Sequence, residues 1–363
     1  MPDPILRDLV ALNMTLRFGV ADYEGLVAAL GSHEALRKAR ISDLEKSEMV
    51  TSRLAREFVR LRDGEDPDEE LRQTEERSVV VVPFTDPGYP ASLRRTHNPP
   101  LLLYVQGRLE PADGVALAIV GTRHPTHYGA TQAGRLASEL ASRGMTIVSG
   151  FARGIDTAVH RAALDAGGRT LGVLAGGLAR LYPPENARLA DEIVGHGALI
   201  SEFPLFTPPL PPYFPRRNRI ISGLALGVLV VEADRESGAL ITADWALEQG
   251  REVFALPGRV DQRSGGCHRL IQQGAKLVES GEDVLADLGD VGRTLAPARP
   301  REAPPALGRE ESSIVAALGA DPVHIDAITD ATGLPPQAVA SLLMVLEIKK
   351  VVTQLPGKHF ARR

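Results

Sequence analysis

Leu117-Ala118-Ile119-Val120-Gly121-Thr122-Arg123 is an apolar run that ends in glycine, threonine and arginine, and the same form recurs along the chain. Met145-Thr146-Ile147-Val148 ends at Ser149-Gly150, and Thr170-Leu171-Gly172-Val173-Leu174 ends at Ala175-Gly176-Gly177. Leu226–Val231 ends at Glu232-Ala233, and Glu252–Leu256 ends at Pro257-Gly258. Short apolar runs without alternation read as strands buried on both faces. Helical-length segments lie between them, so the expected class is α/β, a doubly wound parallel sheet. Such sheets bind ligands beyond the carboxyl ends of their strands. Here those ends carry Gly, Ser, Thr and Arg, a composition suited to a phosphate-bearing ligand.

The 363 residues are enough for two or three domains. Residues 1–75 read as short helices, with Leu6, Leu9, Val10 and Leu12 on one apolar face. Glu57 to Glu76 is so charged that it reads as a solvated helix end and linker. Residues 79–290 hold the sheet, led by two Pro-flanked edge or lead-in strands, Val79–Val82 and Leu101–Val105. Within it Tyr128–Ser142 reads as a helix, Asp156 as the N-cap of a helix Thr157–Asp165, and Pro184 as the start of another through Ile193. The proline-rich run 208–215 reads as an ordered loop ahead of Arg216-Arg217-Asn218-Arg219, the densest basic cluster. Residues 291–308 read as a linker. Residues 309–363 read as three helical segments and a hairpin about Pro356-Gly357, the winged-helix pattern.

The formal charge is −5, with 12 basic against 17 acidic groups in residues 1–78, and 9 against 7 in residues 291–363. An anionic polymer would have to be held by a local basic patch, not by the field of the whole molecule. One cysteine, Cys267, leaves no intramolecular disulfide and no cysteine metal cluster. No run of 18 apolar residues suggests a membrane span, and Met1-Pro2-Asp3-Pro4 does not resemble a secretory signal, so a cytoplasmic protein is expected. There is no G-x-x-x-x-G-K-[ST] and no G-x-G-x-x-G after the first strand, which disfavours P-loop hydrolysis and the usual NAD binding. No cofactor, metal site or catalytic residue is expected.

The chemistry-bearing residues lie at strand ends. Gly121 lets a ligand approach the backbone, while Thr122 and Arg123 supply a hydroxyl and a planar fork for phosphate. Ser149, Gly150 and Arg153 repeat that chemistry in the next loop, and Gly176 and Gly177 add glycines at a third. Tyr182, Tyr213 and Phe214 lie in loops, where they can either stack bases or simply pack. His160 reads as a packed histidine, and Cys267-His268 as packing or an interface.

The ordered series Val120-Gly121-Thr122-Arg123, Ser149–Asp156, Tyr182–Asn186, Ser201–Pro204, Phe214–Leu224, Ser237–Ala243, Glu248–Gly258 and His268–Ala275 resembles the DNA processing protein A (DprA, or Smf) family. Asp86–Pro90 and the flanking helical and winged-helix segments extend the resemblance over nearly the whole chain. It implies an extended Rossmann-like fold between a SAM-like helical domain and a winged helix. It also implies a non-enzymatic homodimer of natural transformation that binds single-stranded DNA, protects it and helps load RecA. The implied partners are RecA and a single-stranded DNA-binding protein. Carried over residue by residue, the DNA site would include Gly121, Thr122, Arg123, Ser149, Gly150, Arg153, Gly176, Gly177, Asn186, Arg217, Asn218 and Arg219. The dimer face would include His268, Leu270, Ile271 and Leu277. Two alternatives stay open: a nucleotide-processing Rossmann enzyme resembling the lysine decarboxylase-like phosphoribohydrolases, and a winged-helix regulator that senses a metabolite.

Overall fold

The structure, a computed structural model, describes residues 4–260, 262–289, 291–292, 295, 307–319 and 321–362. Most of the expected linker 291–308 lies outside the described residues. The chain divides into two compact units, the first made of residues 1–124 and 133–297, the second of 125–132 and 298–363.

The first unit is built on one sheet of nine strands among the described residues. Its centre is parallel: β3 (Ala116–Val120), β4 (Thr146–Ser149), β5 (Thr170–Val173), β6 (Ala198–Ser201), β7 (Gly227–Val230), β8 (Glu252–Ala255) and β9 (Lys276–Leu277). β1 (Val79–Pro83) and β2 (Leu102–Gly107) join antiparallel at one side, giving the order β1-β2-β6-β5-β4-β3-β7-β8-β9. The order reverses at β3, which pairs with β4 on one side and β7 on the other. Two strands escape the sequence reading. β6 is only Ala198-Leu199-Ile200-Ser201, and β9 is two residues long. Of the two lead-in strands only β1 is at an edge, because β6 pairs with the far side of β2.

β3 is apolar at every position because both of its faces are buried. Leu117 and Ile119 pack with Leu136 and Leu140 of α8 (His127–Ser142) and with Val159 of α9 (Ile155–Asp165). Ala118 and Val120 face Ile220, Ile221 and Leu224 of α11 (Tyr213–Leu224), and Leu240 and Ala243 of α12 (Gly238–Glu248). α11 begins inside the proline run that reads as loop. Pro212 is its N-cap and Pro215 falls in its first turn, where a missing N–H costs no intrahelical bond. α9 begins at Ile155, not Thr157, so Asp156 lies inside its first turn and not at its cap. After Pro184 comes a 3₁₀ turn to Asn186, and α10 runs Ala187–His196.

Six helices fill residues 4–76, from α1 (Pro4–Met14) to α6 (Asp66–Glu76). The charged segment that reads as a linker is α5 (Ser52–Asp63) and α6, with Phe58, Leu61 and Leu71 turned inward. Leu9, Leu12 and Phe58 share one apolar core with Leu102, Tyr104, Leu174 and Leu205, so these helices pack against the sheet and its loops.

The second unit has helices at Arg309–Ala317, Ile325–Thr332 and Pro336–Ile348, and strands at Val323–His324, Val352–Leu355 and His359–Arg362. Gly333, at φ +66°, turns the chain between the second and third of these helices. Ile314, Ile328, Leu343 and Phe360 lie in its core. This is the winged-helix arrangement. The helix Pro336–Ile348 has no basic residue, and it exposes Met344 and Ile348.

His160 of α9 is a packed histidine. Its Nδ1 is 2.6 Å from Thr170 Oγ1, whose own hydrogen goes to Ile147 O, so Nδ1 carries the proton. Nε2 is buried with no partner. Burial, aided by the nearby Arg217 charge, pushes the imidazole from 6.5 down to about 3. The unfolded chain therefore binds a proton that the fold refuses between those values. Stability from this group is complete above pH 6.5 and is lost as pH falls toward 3, by about 1.4 kcal/mol per pH unit. Urea unfolding at pH 7.0 and 4.5 should show that loss, and a non-titrating His160→Gln protein should show a correspondingly smaller one.

Candidate functional site

A crevice of about 660 Å³ opens at the carboxyl ends of β3 and β7, where the strand order reverses. This is the position at which open α/β sheets bind ligands. Gly121, Thr122 and Arg123 enter it from β3, and Asp234 and Ser237 from the loop after β7. Phe214, Arg217 and Asn218 enter from α11, with Tyr182 and Pro209 at the rim. The N-terminus of α12, capped by Ser237 Oγ accepting from Ala239 N–H, also faces it. Helix N-termini attract anions.

Arg123 is exposed, and its guanidinium carbon lies 4.6 Å from the centroid of the Phe214 ring. Phe214 meets Tyr182 edge to face at 6.2 Å, and Arg153 stacks over Tyr182 at 5.3 Å. Guanidinium and aromatic groups therefore follow one another from the crevice to its rim and past it: Arg123, Phe214 and Tyr182 line it, and Arg153 stacks on Tyr182 without lining the crevice itself. Arg153 is partly committed already. It donates Nε and Nη2 to Glu185 and Nη1 to Tyr182 OH at 3.0 Å, and its hydrogen bonds hold the Glu185 carboxyl below its ordinary value.

Arg217 forms the floor. It is buried, donates Nη1 to the carbonyls of Gly150 and Val173, and donates Nε to Asn218 Oδ1 at 3.3 Å. Desolvation lowers its pKa to about 10; Asp156 opposes that shift and Arg123 adds to it. Asp156 is buried too, and desolvation raises its carboxyl although Arg217 stands opposite and Ala152 N–H donates to it at 3.1 Å. Gly150 separates the pair: a Cβ there would come within 2.7 Å of both Arg217 Nη2 and Asp156 Oδ2. Asn218 completes the floor, donating Nδ2 to Gly238 O at 3.2 Å.

The other expected site residues are distributed differently. Thr122 lines the crevice, but its N–H is spent on Glu232 O at 2.7 Å and its hydroxyl accepts from His124 N–H. Ser149 is buried beneath, donating to Ile119 O at 2.7 Å. Gly176 lines a side pocket continuous with the rim through Tyr182, Pro209 and Phe214, whereas Gly177 is packed against Pro204 and Leu205. Asn186 is buried and donates Nδ2 to Thr157 Oγ1 at 2.9 Å. Arg219 does not line the crevice; it points to Glu202 Oε2 at 2.6 Å, as Arg216 does at 2.9 Å. Phe214 and Tyr182 both line the crevice, and their aromatic character was the signal for them, although Tyr213 and Phe214 lie on α11 and not in a loop. Tyr213 turns away to pack on Phe203 at 4.5 Å.

Of the four residues expected at a dimer face, Leu277 is 43% exposed on β9, and His268 is half-buried with Nε2 3.1 Å from Gly258 O. Leu270, at 4% exposure, and the partly buried Ile271 pack into the core beneath the sheet, which leaves Leu270 no surface for a partner. Cys267 is buried, and desolvation pushes its thiol up to about 12. Among the described residues no cluster of His, Cys, Asp and Glu could hold a metal ion, and no single helix is long and apolar enough to cross a membrane.

Residues 80–289, the sheet and its crevice, match the family model described as DNA recombination-mediator protein A. The chain belongs to that family. Residues 297–358 match the DprA winged helix domain. Protein Smf of Escherichia coli is 42% identical, covering 78% of this chain and 77% of its own length. The putative DNA processing protein DprA of Mycobacterium tuberculosis is 35% identical, covering 96% and 92%. The crystal structure of DNA processing protein A from Streptococcus pneumoniae superposes with a TM-score of 0.63 at 38% identity, over 69% of this chain and 87% of that one. DNA processing protein A from Helicobacter pylori, reported for its single-stranded DNA binding mode, gives 0.51 at 31% identity, over 55% and 92%.

The loop after β4 is held against the turn after β3 at Gly154. Its φ is +79°, and a Cβ there would lie 2.4 Å from Thr122 O and 2.7 Å from Arg123 O. Gly154→Ala should cost about 3 kcal/mol, combining a disfavoured backbone region with a backbone clash. Chemical denaturation of the purified variant measures it, and a loss under about 1 kcal/mol would contradict this packing.

Proposed function

We propose that this chain binds single-stranded DNA in the switch-point crevice. In this reading it acts as a non-enzymatic homodimer that protects incoming strands during natural transformation and helps load RecA onto them. The observation that carries the reading is the row Arg123–Phe214–Tyr182 in the crevice, extended past its rim by Arg153 stacked on Tyr182. Aromatic faces accept bases of any sequence, and guanidinium groups supply both stacking and phosphate contacts. Family membership supports it, as does the single-stranded DNA binding mode reported for the Helicobacter pylori relative. With a net charge of −5, the attraction must come from this local cluster. The absence of cations on the helix Pro336–Ile348 favours protein contacts over duplex binding for the winged helix, with RecA and a single-stranded DNA-binding protein as candidate partners.

No observation favours the phosphoribohydrolase-like alternative. Asp156, the buried acid at the floor, already accepts from Ala152 and faces Arg217, so it is not placed as a free general base.

Arg123 tests the reading directly. Arg123→Ala should weaken single-strand binding by about 1.5–3 kcal/mol, the usual worth of hydrogen bonds to charged groups. Its salt slope should fall by about 0.7, the single-strand value for one phosphate. Arg123→Lys should recover only part, since a point charge does not replace a planar fork. The side chain is exposed and stacks on the Phe214 ring, so the variant should stay folded. Unchanged affinity and slope in a folded Arg123→Ala protein would remove the crevice as the DNA site.

The dimer is tested at Leu277, the exposed apolar residue on the β9 edge. Leu277→Arg should sediment as a folded monomer. Because linked pockets raise effective concentration, that monomer should lose affinity for long strands more than for short ones. A dimer of unchanged stability would move the interface elsewhere.

A further inference from the structure

α11 has two working faces. Phe214, Arg217 and Asn218 point into the crevice, and Tyr213, Arg216 and Arg219 point the other way. Spacings of three and four residues put each set on one side of a helix. The second set converges on Glu202 and Phe203, just past the end of β6. Glu202 Oε2 accepts from Arg216 Nη2 at 2.9 Å and from Arg219 Nη2 at 2.6 Å. Its side chain is 1% exposed, and Oε1 has no hydrogen-bond donor. The ring of Phe203 takes Tyr213 at 4.5 Å and the Arg216 guanidinium at 5.3 Å.

The same clamp reaches the N-terminal helices. Asn13 Nδ2 donates to Glu202 O at 3.0 Å, and Arg216 Nη1 donates to Leu16 O at 2.5 Å. Arg219 Nη1 reaches Asn98 O at 3.4 Å. A buried carboxylate with two guanidinium partners adds little net stability, but it admits few alternative geometries, because any slippage leaves a charge uncompensated.

We infer that Glu202 is a positioning residue for single-stranded DNA binding. It touches no ligand; through Arg216 and Arg219 it sets the rotation and depth of α11, and so the placement of Phe214 and Arg217 in the crevice. It also makes α1 part of the site's support. This inference rests on the crevice being the DNA site.

The test uses the full chain with Glu202→Gln, a substitution of the same shape that removes the charge. Trp245, the one tryptophan of the sequence, shares a cleft with Pro215 and Arg216 and reports on the position of α11. In a folded variant, single-strand affinity should fall about tenfold, in the range found for residues that act on a site without touching its ligand. The salt slope should stay at the wild-type value because no phosphate contact is removed, and Trp245 emission should shift. Wild-type affinity in the folded variant would overturn the inference, whether or not Trp245 emission shifts. So would tighter binding with a steeper salt slope, since the freed arginines would then be contacting phosphate themselves. If Glu202→Gln does not fold, Arg219→Gln, which leaves Arg216 on the carboxylate, should show the same two changes to a smaller extent, and wild-type affinity in that variant would overturn the inference. Arg123→Ala is measured alongside. If it too binds as wild type, the crevice reading itself fails; if it weakens binding while Glu202→Gln does not, only the role of Glu202 fails.

Discussion

The site depends on one buried cation. Arg217 leaves α11, passes under the crevice and donates to Gly150 O and Val173 O, at the ends of two neighbouring parallel strands. Strand-end carbonyls of a parallel sheet have no further strand to pair with, and a buried carbonyl without a donor is costly. A guanidinium, with five N–H groups in a fixed fork, can satisfy two of them while keeping an edge toward a neighbour. Its charge is tolerated because Asp156 lies across Gly150. Removing the Arg217 or Asp156 side chain would leave a buried polar group unmatched, and a Cβ at Gly150 would push into both of them.

Around that floor, charge is divided by accessibility. Arg216, Arg217 and Arg219 lie within four consecutive residues, but the first and third are tied to Glu202 and the second to backbone carbonyls. Arg153 is paired with Glu185. Arg123 keeps its fork exposed, with an aromatic ring beneath it and no described carboxylate paired to it. An acidic chain thus presents a cation where the strand order reverses, and backs it with groups that stack rather than neutralise. The N-terminal helices contribute from behind: Asn13 holds the Glu202 carbonyl, and the buried Glu70 accepts Leu205 N–H at 2.7 Å in the loop that leads to the Pro209 rim.

Much of this is legible in the residues themselves. The apolar runs ending at Gly121, Gly150, Gly176 and Ala233 locate the parallel strands, because a strand buried on both faces admits little else. The order of motifs identifies the family, and Gly333 and Pro356-Gly357 mark the turns of the winged helix. Local chemistry also marks Arg123, since it follows a glycine turn directly.

What the chain order could not decide was direction. On a helix, neighbours in sequence point about 100° apart, so Arg216-Arg217-Asn218-Arg219 reads as one basic patch although its members face two opposite walls. Only the packing of α11 between the sheet and Glu202 separates them. Leu270 and Leu277 are equally apolar in sequence, yet one closes the core and the other stands at an open edge. β6 is as long as β4 or β5, but its apolar run is only Ala198-Leu199-Ile200 and starts one residue after α10, so the sequence does not set it apart; it is a strand because β5 and β2 supply its hydrogen bonds. The amino-acid sequence by itself determined the central parallel strands, the winged-helix pattern and which residue types meet the strand ends. The tertiary structure decided which of those residues reach solvent, because burial and pairing belong to contacts between segments far apart in the chain.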